Sequence, residues 1–451
     1  MTTITTRLTS CVLALVVLAL GGCSDDDDPA APAATGRTFT VTVANISTDF
    51  VHFHSGVFDT PQGAGAPAPI SPGGAYEVSF GAVPGHRLSF ATMMVQSNDV
   101  FYAPDGNGIE LYSSGTPVTG DVTAQIALWD AGTELNQEPG LGADQAPRQS
   151  GADTGAADPD DTVRLVDDAW TYPAVADVIE ATLAYEGEGV FTLRIENVSD
   201  GSTLTPSSGP SLAVPLSPGV FVVHSTPDPL FSVGVAETSD GLEALAEDGD
   251  PAALAGALAG RSGLVSPLAP VAWAVHDTSM PFFTNGSADA GLGLESLAED
   301  GDPLALEATL TGTSTVRMAG AAVTPVGQGS PGVAQPGAMY RFTFDAEPGD
   351  FLSLATMLVQ TNDLFFSFDD TGLALFDDAG VPVTGDVSAM VSLWDAGTEA
   401  NQWPGAGEDQ PLQQAAPNTG AADPTNVVRP VDDGFPYPPP ESIIQVTIAA
   451  E

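Results

Sequence analysis

Lysine is missing from this 451-residue chain: its ten basic residues are all arginine, set against 59 acidic ones for a net charge of −49. A surface of that sign repels nucleic-acid phosphates and bare anionic membranes, because either partner is held by clustered positive charge. Nucleic acid is therefore excluded as a partner. Cysteine is scarce as well: the two present are Cys11 and Cys23, both near the N-terminus, so no disulfide framework can be built. Signatures of catalysis are missing too, with no Gly-x-Ser-x-Gly elbow, no phosphate-cradling glycine loop and no His-Glu-x-x-His. His86 is replaced by Asp350 at the matching position of the repeat described below. The expectation is a protein that is not an enzyme.

What is present is a globular composition, 43% hydrophobic with loops rich in glycine and proline, enough for two or three domains with cores of their own. The N-terminus reads as an address. Arg7 gives a positive start, and the apolar run Cys11 to Leu20 is ten residues long, too short to span a bilayer. Leu20-Gly21-Gly22-Cys23 follows and resembles a bacterial lipobox. That resemblance implies a signal peptide over 1–22, cleavage before Cys23, lipidation of its thiol, and export to the outer membrane favoured by Ser24. The protein would be anchored at the cell surface without spanning the membrane. Residues 23–37, with Asp25 to Asp28 and an Ala/Pro stretch, read as a solvated tether.

Beyond the tether the chain repeats itself. LSFATMMVQSND from Leu88 returns as LSLATMLVQTND from Leu352, and LWDAGTELNQ returns as LWDAGTEANQ. Each copy sets an Asn-Asp pair after one apolar run and an Asp-Ala-Gly-Thr-Glu turn after the next. Asp99, Asp130 and Glu134 thus match Asp363, Asp395 and Glu399, and the amides Asn98 and Asn136 match Asn362 and Asn401. Three carboxylates with amide oxygens beside them suit a hard, oxygen-seeking cation. Gly132 would let the turn fold back so that Glu134 meets the ion held by Asp130 and Asp99. As a catalytic alternative, Asp130 and Glu134 could serve as the carboxylate pair of a polysaccharide hydrolase, though four residues of one tight turn leave little room for a sugar.

These two motifs, with the later DD-x-(W/F)-x-YP segment, resemble the spondin amino-terminal domain, and the likeness covers nearly all of the chain after the leader. The resemblance implies antiparallel β-sandwiches, a divalent-metal site in the acidic loops and a binding or adhesive role. The expected fold is therefore all-β: two tandem antiparallel sandwiches of Greek-key type, each with one Ca2+. Partners would be an extracellular protein or a glycan, with the membrane reached through the lipid alone.

Strand patterns support this class. FTVTVANIS from Phe39 and FTLRIENVS from Phe191 alternate apolar and polar residues, whereas Arg87 to Val95 is nearly continuous, as for a strand covered on both faces. Phe101, Tyr102 and Trp129 read as core, and His52 and His54 as ordinary strand residues. Phe39 to Phe191 is an offset of 152 and Thr60 to Thr324 one of 264, so 264 − 152 = 112 residues are extra in the second copy. That extra stretch is itself duplicated, each half holding a strand that ends in His224 or His276 and an AEDGDP box. Gly249-Asp250-Pro251 and Gly301-Asp302-Pro303 read as one helix ending and the next being capped, not as a metal loop. The expected division is a trimmed sandwich over 38–186, a hinge at Glu186-Gly187-Glu188-Gly189, and a sandwich over 190–451 carrying the duplicated insertion 212–312. A carbohydrate-binding module is a further alternative, with Trp403 as its aromatic candidate; it aligns with Glu138 in the first copy.

Overall fold

The computed structural model describes residues 36–238, 240–277 and 282–451; the leader, Cys23 and nearly all of the tether lie outside the described residues. The principal strands in chain order are β1 (Arg37–Asn45), β2 (His54–Phe58), β3 (Ala75–Gly81), β4 (Arg87–Met94), β5 (Val100–Pro104), β6 (Ile126–Asp130), β7 (Ile179–Gly187), β8 (Val190–Asn197) and β9 (Leu216–His224). After the helical pair α1 (Leu242–Asp248) and α2 (Ala252–Ala259) comes β10 (Val271–His276). A second pair follows, α3 (Leu294–Asp300) and α4 (Leu304–Thr311). Then come β11 (Val316–Ala322), β12 (Met339–Ala346), β13 (Phe351–Met357), β14 (Leu364–Ser367), β15 (Ser392–Asp395) and β16 (Ile444–Ala450).

The fold is all-β, two antiparallel sandwiches with helices added, and the patterning explains its layers. In β1 and β8 every second residue is buried, because one face of each packs inward and the other meets water. β4 and β13 are buried almost end to end. Their inner faces join the sandwich cores, while Ala91, Phe101, Val220 and Val222 on the outer face lie under Leu242, Leu245, Leu254 and Leu258 of α1 and α2. The second sandwich repeats this third layer with Leu294, Leu297, Leu306 and Leu310 over Ala272, Ala274 and Phe365. Each helical pair turns where the AEDGDP box stands. Gly249 and Gly301 adopt a left-handed φ of 69°, and the Asp250 and Asp302 carboxylates accept the N–H groups of Ala252 and Leu304 at 2.9 and 3.0 Å. These bonds are the capping geometry expected of the box.

The sheets do not follow the expected division of the chain. The small sheet of the first sandwich runs β3-β8-β7 and ends on Gly120–Asp121; its large sheet runs Arg164–Leu165, β6, β5, β4, β9, β2. The small sheet of the second runs β12-β1-β16 and ends on Gly385–Asp386; its large sheet runs β11, β10, β13, β14, β15, Arg429–Pro430. Strand β1, placed by the sequence reading in a 38–186 domain, is central in the other sandwich, with Phe39 opposite Phe344 and Ala450. Strand β8, placed in a 190–451 domain, pairs with β3 and β7 of the first sandwich. The Glu186-Gly187-Glu188-Gly189 segment is correspondingly a hairpin turn between β7 and β8, with φ of 99°, 52° and 76° at its last three residues, and not a hinge between domains.

The first sandwich is not trimmed: β9, α1 and α2 complete it, while β10, α3 and α4 serve the second. The whole first sandwich sits in the chain between β1 and β10 of the second. Trp403 marks the seam, its indole lying over Gly81 and with ring centroids 5.4 Å from His54 and 6.0 Å from Phe435.

Candidate metal centre

Strand pairing brings the two acidic turns together. Asp130 ends β6 opposite Val100, the first residue of β5, so Asp99 and the Asp-Ala-Gly-Thr-Glu turn share one rim, and Ala131 N–H donates to the Asp99 carbonyl at 3.1 Å. Gly132 and Gly397 take φ of 74° and 68°, a left-handed conformation that the turn requires and that suits glycine. Asp99 Oδ2 accepts from Thr133 N–H, Thr133 Oγ1 and Glu134 N–H at 2.8, 3.1 and 3.0 Å. Asp363 repeats these bonds with Thr398 and Glu399 at the same three distances. Asp130 accepts Gly132 N–H on Oδ1 and Asn136 Nδ2 on Oδ2, both at 2.7 Å.

The other oxygens of this set decide what it can hold. Asp99 Oδ1 and Asn136 Oδ1 are buried and have no hydrogen-bond partner among the described residues, and Asp363 Oδ1 and Asn401 Oδ1 repeat that state. A buried acceptor left without a donor costs on the order of 1–3 kcal/mol. Each Asp130-type carboxylate thus has an aspartate and an asparagine neighbour with an unpartnered oxygen, in both copies, and oxygens of that chemistry suit a hard cation. Burial raises Asp99, reinforced by the charge of Asp130, and burial raises Asp130 against the pull of Gly132 N–H and Arg164. In the second copy burial lifts Asp363 to about 6, and burial with the Asp363 charge lifts Asp395 to about 7. Without a cation, burial thus disfavours the charged form of these groups.

Other expected ligands are engaged in hydrogen bonds of the loop. Asn98 donates its amide to Glu134 Oε2 at 3.0 Å and accepts Gln137 N–H at 3.0 Å, and Asn362 does the same with Glu399 and Gln402. Both amides therefore tie the loop together. The second oxygen of Glu134 accepts Gly155 N–H, as Glu399 accepts Gly420 N–H at 2.8 Å. Among the described residues, Asp99, Asp130 and Glu134 do not converge as a three-carboxylate group. Glu134 converges instead with Asp153 and Glu247.

Two participants in each sandwich escaped the sequence reading. Arg164 pairs with Asp130 and Asp158 at 2.8 Å each, and Arg429 pairs with Asp395 and Asp423 at 2.6 and 2.7 Å. Each sandwich thus spends one of its few cations on the rim. Glu247 of α1 and Glu299 of α3 are each 2% exposed, and burial raises both to about 8. The signal was in the chain: both arginines and both glutamates recur at matching positions of the repeat. No arginine pairs with Asp99, Glu134 or Glu247 among the described residues.

The rival sites find less support. Asp130 and Glu134 are 1% and 2% exposed, so a polysaccharide has no open cleft between them. Ser89 and Ser353 lie 2.9 and 3.0 Å from the Nε2 atoms of His224 and His276, but all four are buried between strands and tie them together. Trp403, the candidate sugar platform, is taken up in the seam between sandwiches. No helix among the described residues is long and apolar enough to cross a membrane. No protein-family model matches the chain, and a search of curated proteins returned no match.

Proposed function

We propose that this chain is an exported, lipid-anchored cell-surface protein whose two sandwiches are held at their rims by calcium, and that it works as a binding or adhesion module. The observation that carries the reading is the repeated pair of buried, unpartnered oxygens, Asp99 Oδ1 with Asn136 Oδ1 and Asp363 Oδ1 with Asn401 Oδ1. A cation there would satisfy them and offset carboxylates that burial has pushed toward neutrality. Asp99, Asp130 and Asn136, and Asp363, Asp395 and Asn401, would hold it. The lipobox at Cys23 supports the anchor, and the strongly acidic surface supports an extracellular partner, protein or glycan, reached without any nucleic-acid or bare-membrane contact.

The test is thermal. A ligand that binds only the folded state raises its melting temperature, so calcium added to chelator-stripped protein should raise Tm and EDTA should reverse the rise. Doubly substituted protein, Asp99→Asn with Asp363→Asn, should lose most of the shift. A stripped wild-type protein whose Tm ignores calcium would sink the reading. Cys23→Ser should move the protein from the membrane fraction to the soluble one.

A further inference from the structure

Glu134, Asp153 and Glu247 come from three separate segments: the Asp130 turn, the long loop after it, and helix α1. One ligand oxygen from each lies within 4.8 Å of the others. Glu134 and Glu247 are each 2% exposed, Asp153 is exposed, and Glu247 Oε1 has no hydrogen-bond partner among the described residues. A buried carboxylate brought this close to two further carboxylates, with one of its oxygens unpartnered, is costly unless a cation joins them.

We propose that the first sandwich carries a second divalent-cation position, formed by Glu134, Asp153 and Glu247 and distinct from the Asp99–Asp130 pair. The ion would clasp α1 to the loop that crosses the rim. This helix belongs to the segment that follows β8, so the clasp joins parts of the sandwich that lie far apart in the chain. The second sandwich departs from the first at one ligand: Asn418 stands where Asp153 stands, at the offset of 265 that relates Asp130 to Asp395. Its amide donates to Glu295 Oε1 at 2.8 Å. Glu299 Oε2 is nevertheless left without a partner among the described residues, as Glu247 Oε1 is. The two copies therefore differ in affinity, with the first the stronger, since ligand charge sets affinity for hard cations.

The proposal rests on the reading that these acidic rims take divalent cations, and the experiment separates the two. Calcium chloride is titrated calorimetrically into the stripped full chain and into three variants. Asp153→Asn, on an exposed side chain, should weaken one binding event about tenfold or more and leave the Asp99-dependent event in place. Asn418→Asp should strengthen or add an event in the second sandwich. Asp99→Asn should spare the event that Asp153→Asn removes. If Asp153→Asn and Asn418→Asp both leave the wild-type isotherm unchanged while Asp99→Asn alters it, the clasp is overturned and the Asp99 site stands. If the wild-type chain binds no calcium, both fall.

Discussion

Phe39 and Phe191 occupy matching positions of the repeat, yet they should report on opposite sandwiches. Phe39 is fully buried, stacked on Phe344 at 5.7 Å and set edge-on to Phe376 at 5.4 Å. Replacing such a phenylalanine by alanine costs about 3–5 kcal/mol in transfer and cavity terms together. With every 1.4 kcal/mol worth a factor of ten, the opening equilibrium rises by about two to nearly four orders of magnitude. Native-state hydrogen exchange read by mass spectrometry locates that opening. In Phe39→Ala the lost protection should fall on β12 and β16, some three hundred residues further along the chain in the case of β12 and four hundred in that of β16. The nearer strands β3 and β7 should keep theirs. Phe191→Ala should do the reverse, opening β3 and β7 and sparing β12 and β16. Loss of protection in β3 and β7 on mutating Phe39 would refute the exchanged arrangement.

The remaining expectations concern the rims and the seam. Asp363, Asp395, Glu247 and Glu299 are raised to about 6, 7, 8 and 8, while carboxyls in an unfolded chain titrate near 4. Between those limits the folded state binds more protons than the unfolded one, so the stability they contribute is whole below about pH 4 and is lost as pH climbs to about 8. Melting temperatures of chelator-treated protein should fall across that window, and calcium, which replaces the protons, should flatten the curve; equal slopes with and without calcium would count against a cation at these groups. At the seam, Gly81→Ala sets a Cβ inside the Trp403 indole. It should loosen the two sandwiches, read as a larger radius of gyration by small-angle scattering, while each keeps its own melting transition.

Much of the fold could be read from periodicity. The alternation of FTVTVANIS and FTLRIENVS gives half-buried strands, and the unbroken LSFATMMV gives a strand covered on both sides, as the structure has it. Partner choice is a different matter. The two alternating strands are so alike that either would satisfy either sheet by pattern, and order in the chain favours the wrong assignment for both. The decisive signal was short-range. Gly187-Glu188-Gly189 between two alternating runs has the positive-φ residues of a tight hairpin, and a hairpin there obliges β7 and β8 to lie in the same sheet. Once β8 belongs to the first sandwich, β1 is released to the second, and the apparent excess of 112 residues in one copy becomes an equal share for each.

The acidic rim was legible to the extent that its ligands sit close together in the chain, and opaque where the third dimension supplies them. Asp130, Gly132 and Asn136 fall within one turn, and spacing alone brings them to one place. Glu247 lies more than a hundred residues beyond Glu134, inside a box whose aspartates the helix ends fully explain. Only the packing of α1 on the outer face of β4 turns its side chain toward the turn. That contact joins residues far apart in the chain, Glu134 before β7 and Glu247 after β9. Without a cation, that contact sets carboxyl groups side by side in a desolvated site, where the charged form is disfavoured. A helix that must dock there is accordingly the element whose folding should depend most on the ion.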